Sequence, residues 1–81
     1  MKFEKILVAA YSGYTCNERP VSFQFRGREH TVDTIIDRWY QGAVRAHEPN
    51  MEYFKVKTAT GETYILRYNG LFDVWSIMLP E

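Results

Sequence analysis

The stretch from Met51 to Leu79 reads MEYFKVKTATGETYILRYNGLFDVWSIML, and its reading decides the fold. Met51 to Thr58 is rich in aromatic and β-branched residues, which suit a pleated, half-buried strand. Thr60-Gly61 is a turn signal, Thr63 to Tyr68 a second strand, Asn69-Gly70 a type I′ turn signal, and Leu71 to Leu79 a third strand. With Asn69-Gly70 as a two-residue loop, Tyr68 faces Leu71, Leu66 faces Asp73 and Tyr64 faces Trp75. On the other face Arg67 meets Phe72, Ile65 meets Val74 and Thr63 meets Ser76. If Thr60-Gly61 is also a two-residue loop, Val56 lies beside Ile65 and Phe54 beside Arg67. One face then carries Phe54, Val56, Ile65, Phe72 and Val74, the expected core. The other mixes aromatics and charges: Tyr53, Lys55, Lys57, Tyr64, Leu66, Tyr68, Leu71, Asp73 and Trp75. A slip of one residue in either turn swaps the faces.

Working outward, Val21, Phe23 and Phe25 alternate with Ser22, Gln24 and Arg26. Gly27 turns the chain, and Val32 rejoins the apolar face. Ile6 to Tyr11 adds one more strand. Thr31 to Tyr40 has two readings. Val32, Ile35, Ile36 and Trp39 fit a helical stripe, while the β-branched run fits a bent or bulged strand. Gln41 to Asn50 holds Gly42, Pro49 and Asn50 and reads as a long loop. The expected fold is mostly β: a small, strongly curled antiparallel sheet or partly open barrel of five or six strands. One short helix near residues 32–40 is the variant.

The 81 residues suit a single domain with a thin core, and an aromatic content of 16% supplies bulk to fill it. Ten Lys plus Arg balance ten Asp plus Glu, so no long-range field draws the chain to nucleic acid or to an anionic membrane. Cys16 is the one cysteine. Internal disulfides are impossible, and a cytoplasmic, reducing location is expected. Ile6 to Ala10 is too short for a membrane span or a signal core.

Arg19-Pro20, Phe23-Gln24-Phe25-Arg26-Gly27-Arg28-Glu29-His30-Thr31-Val32 and Ile36-Asp37-Arg38-Trp39 together form a recognisable signature. It resembles that of a bacterial family of short domains of unknown function, R-P-x-x-F-x-W-R-G-R-x-Y-x-V followed by L-D-R-W. Tyr64-Ile65-Leu66-Arg67 matches the strand ending that follows. The resemblance spans roughly residues 19–79. Phe25 stands where that family has Trp, and His30 where it has an aromatic. Some members sit beside Y-family translesion DNA polymerases, so the resemblance implies a link to DNA repair by association alone. It implies no catalytic residues.

Chemistry has few footholds. Cys16 as nucleophile, with His30 or His47 as base, would still need an orienting group and an oxyanion hole, and no motif supplies them. An inert thiol is the simpler reading. No pair among Cys16, His30 and His47 has metal-ligand spacing, so no metal or cofactor is expected. Asp33 and Asp37 would share a helix face, but on a strand they stand ~13 Å apart, too far for paired acid–base work. Arg26-Gly27-Arg28 is a tight turn flanked by two guanidiniums, able to grip a phosphate or carboxylate or merely to solubilise the hairpin. Tyr53, Tyr64, Tyr68 and Trp75 with Lys55 and Lys57 resemble the stacking-plus-charge platform of single-strand nucleic-acid binders. The plainer reading is that the N-terminal hairpin folds over this face, because small barrels turn most aromatics inward.

The expected function is a non-catalytic interaction module, not an enzyme, for a protein or single-stranded nucleic-acid partner. It would use Tyr64, Tyr68, Trp75, Lys55 and Lys57, the Arg26–Arg28 turn, or the Gln41–Asn50 loop. The alternative is a small enzyme or ligand-binding domain using Cys16 or His47.

Overall fold

In a computed structural model, residues 2–11, 19–42 and 50–80 are described. Six strands follow one another: β1 (Lys2–Tyr11), β2 (Arg19–Phe25), β3 (Arg28–Gln41), β4 (Met51–Thr58), β5 (Thr63–Asn69) and β6 (Val74–Leu79). Each pairs antiparallel with the next, and β1 also pairs with β6, so the sheet closes into a barrel. The strands pair over part of their length, β1 with β6 along Lys2–Ile6 and with β2 along Leu7–Tyr11, so the long strands pass from one neighbour to the next as the barrel closes. Among the described residues there is no helix, and so none long and apolar enough to cross a membrane.

The 32–40 segment is strand, not helix. Register shifts between Val32 and Thr34 and between Ile35 and Asp37 mark two bulges. Each bulge inserts one residue, so the inward positions fall at Val32, then Ile35, then Arg38. A spacing of three imitates a helical stripe. The bulges also explain why Ile36 is left outside, half exposed. A third irregularity pairs Ala9 with Ser22 but Ala10 with Pro20. It pushes Val21 out of the apolar row, while Phe23 and Phe25 stay buried and Val32 packs against them. Arg26 (φ 52°) and Gly27 (φ 74°) form a two-residue turn with both residues left-handed, the type I′ geometry that matches strand twist.

The turns of the C-terminal half overturn the expected core. Between β4 and β5 the loop is Ala59-Thr60-Gly61. The Thr58 amide donates to the Glu62 carbonyl at 2.8 Å and the Gly61 amide to the Thr58 carbonyl at 2.9 Å. Gly61, at φ 89°, takes the left-handed position that ends such a three-residue loop. One extra loop residue moves the register by one, so Phe54 faces Leu66 and Val56 faces Tyr64. Leu66 turns inward and Ile65 outward.

Between β5 and β6 the Asn69 side chain accepts hydrogen bonds from the amides of Leu71 (3.0 Å) and Phe72 (3.2 Å). Asn69 therefore caps a wider turn over Gly70 to Asp73 instead of sitting inside a two-residue one. Leu71 and Phe72 leave the sheet and stand exposed. Trp75 faces Tyr68, and Ile77 faces Leu66. The core is Ile6, Phe23, Phe25, Phe54, Val56, Leu66, Trp75 and Ile77. Phe54 and Val56 are core as expected; Ile65, Phe72 and Val74 are not.

Candidate functional site

The same register distributes the site residues. On β4, Phe54 and Val56 point in, so Tyr53, Lys55 and Lys57 point out. On β5, Tyr64, Leu66 and Tyr68 take the inner side. The expected platform therefore does not assemble: its lysines and three of its aromatics lie on opposite faces of one sheet. Trp75 is buried, its ring 5.4 Å from Phe54 and 4.9 Å from Tyr68. The Tyr68 hydroxyl donates to Asp73 at 2.8 Å. Cys16, His47 and most of the Gln41–Asn50 loop lie outside the described residues.

Two other constellations form. The first is on the outside of the barrel. The register sets Trp39 opposite Tyr53, and Tyr53 opposite Arg67. Phe3 lies opposite Met78, because β1 starts at Lys2 and not at Ile6. The Trp39 and Tyr53 rings stack in parallel, 5.3 Å apart. Phe3 meets Tyr53 edge-on at 6.3 Å, and the Arg67 guanidinium lies 3.8 Å over the Phe3 ring. The Tyr53 hydroxyl donates to the Gln41 side-chain oxygen at 3.0 Å. Phe3, Trp39, Gln41 and Tyr53, with Tyr40, wall a cleft of about 440 Å³ that also takes in Ile65 and Met78. Trp39 and Tyr40 remain substantially exposed. Phe3 and Met78 belonged to no motif. The only related signal in sequence was Gly61, which can close a three-residue loop and so give the register that sends Ile65 and Tyr53 outward together, but which fits a two-residue loop as well.

The second constellation is at one mouth of the barrel. His30 stacks on Phe23 at 5.1 Å, and Tyr64 packs edge-on against Phe23, Phe25 and His30. Glu62 reaches across them. It accepts from the Tyr64 hydroxyl at 3.3 Å and the Thr60 hydroxyl at 3.0 Å, and lies 3.9 Å from His30 Nδ1. Burial, then the Glu62 charge and hydrogen bond, raise the Tyr64 pKa above its ordinary 10.0, while Arg26 and Arg28 pull it the other way. Of the residues expected to bind a partner, Tyr64, Arg26 and Arg28 do come together here, around a cavity of about 300 Å³. Among the described residues, no three His, Cys, Asp or Glu side chains are grouped to hold a metal ion.

Comparison with protein-family models, with characterised proteins and with solved structures finds no match.

Proposed function

We propose that this protein is a non-catalytic interaction module that binds a protein partner, seating an extended apolar segment in the outer cleft. The observation that carries the reading is how the ring faces are used. A single-strand platform offers open aromatic faces to bases, beside cations for the phosphates. Here Trp39 and Tyr53 cover one another and Arg67 covers Phe3. One face of each of these rings is thereby taken up, and the aliphatic surface of Ile65 and Met78 lines the same cleft. Such a surface recognises apolar side chains, and aromatics with Arg are the residues that dominate protein interfaces. A net charge of zero agrees with a partner that needs no electrostatic capture. The single cysteine supports a reducing, cytoplasmic setting for this module.

Selection of displayed random peptides tests the reading, with Ile65→Glu as the counter-protein. Apolar peptides retained by the parent and lost by Ile65→Glu, with the variant folded, are expected. Oligonucleotide binding that weakens with salt, and no peptide enrichment, would replace the protein partner with nucleic acid.

A further inference from the structure

The barrel mouth holds a second feature, separate from the outer cleft. Arg26 occupies the first position of a type I′ turn with φ 52°. Asn, Asp and Gly take that conformation readily; a long unbranched side chain is uncommon there and strained. The guanidinium lies 5.0 Å over the Phe25 ring. Arg28 stands directly opposite Phe25 across the β2–β3 pair. Among the described residues neither arginine is in an ion pair, although Glu62 lines the same cavity. The Glu62 oxygens are already engaged by Tyr64 and Thr60. Two unneutralised guanidiniums thus flank a small cavity walled by Phe25, Tyr64 and Pro80.

We infer that this mouth binds a small ligand with an apolar body and a single oxyanion head. The head is a carboxylate or a phosphate monoester held between Arg26 and Arg28. The body lies against Phe25, Tyr64 and Pro80. Guanidiniums suit this head because their planar donor forks match oxyanion geometry. Retaining Arg26 in a left-handed turn is then a functional cost of the kind that binding sites carry.

NMR-monitored titration with benzoate, phenyl phosphate and uncharged benzyl alcohol tests the site. Both anions should shift the amides of residues 26–30 and 62–64, with Kd around 1 mM for two charge-assisted contacts in an open site. The tighter anion identifies the head. Arg28→Gln should weaken binding roughly tenfold, and Glu62→Gln should tighten it by removing the opposing charge. Arg26→Asn relieves the strained turn, so it should raise the thermal midpoint while weakening binding. That split separates a binding role from a structural one. Benzyl alcohol binding as well as the anions, or no shift from either anion up to ~20 mM, would overturn the inference.

Discussion

Ile65 and Leu66 are neighbours on one strand with opposite fates, and truncating each in turn tests the register on which the site rests. Leu66 is fully buried, flanked across the sheet by Phe54 and Ile77, themselves fully buried. None of the three has free surface into which the wall could relax. Leu66→Ala should therefore cost ~3–4 kcal/mol, within the range for unrelaxed core cavities. An 81-residue domain has ~4–12 kcal/mol to lose. At ~4–8 °C per kcal/mol for this size, the thermal midpoint should fall by at least ~12 °C. Ile65 is partly exposed on the outer face, so Ile65→Ala should cost only ~1 kcal/mol. Urea titration followed by circular dichroism measures both, and an unchanged slope confirms that the same surface unfolds. A larger loss for Ile65→Ala than for Leu66→Ala would refute the three-residue β4–β5 loop and invert every face assigned above.

Other outcomes follow from single features. Phe72→Ala should leave stability within ~0.5 kcal/mol, since the ring stands in solvent; a large drop in denaturation midpoint would put it back in the core. The Thr58 hydroxyl accepts the Glu62 amide at 3.2 Å, so Thr58→Val should cost ~1–2 kcal/mol by stranding that donor, read from the urea midpoint. Tyr64 holds its proton more tightly folded than unfolded. Its stabilising contribution is full below the ordinary value of 10.0 and is lost as pH rises through the higher folded value. Absorbance titration of the parent against Tyr64→Phe should show a missing late-ionising phenol, and Tyr64→Phe should flatten the alkaline fall in stability.

The architecture was legible in the alternation of β2, in Gly27 and in the aromatic strands, because period-two patterning and turn residues act locally. Phe54 and Val56 were legible as core for the same reason. The faces of β5 and β6 were not. They depend on loop length, and Thr60-Gly61 fits a two-residue and a three-residue loop equally well until the Thr58–Glu62 pairing is seen. Asn69-Gly70 misled because asparagine can occupy a left-handed turn or cap a wider one with its side chain. Bulges in β3 were concealed by a helical spacing they themselves produce. The outer cleft needed Phe3, and Phe3 reaches it only because β1 closes against β6. The mouth was half visible as Arg26-Gly27-Arg28, but its partners Glu62 and Tyr64 lie more than thirty residues along the chain.

Closure through β1 and β6 also governs when the protein can come into being. Lys2 pairs with Leu79 and Ile6 with Trp75, contacts that span nearly the whole described chain. The hairpins β2–β3, β4–β5 and β5–β6 are local and can form early; the β1–β6 seam pays its loop-closure entropy in one late step. On a ribosome, β1 waits unpaired on that side until β6 has emerged, with Ile6 unable to reach its partner. Removing β6 would leave two raw edges, on β1 and β5, each a template for another chain. A nascent chain stalled before residue 74 is thus expected to be a substrate for chaperones or a seed for aggregation, whatever the finished barrel binds.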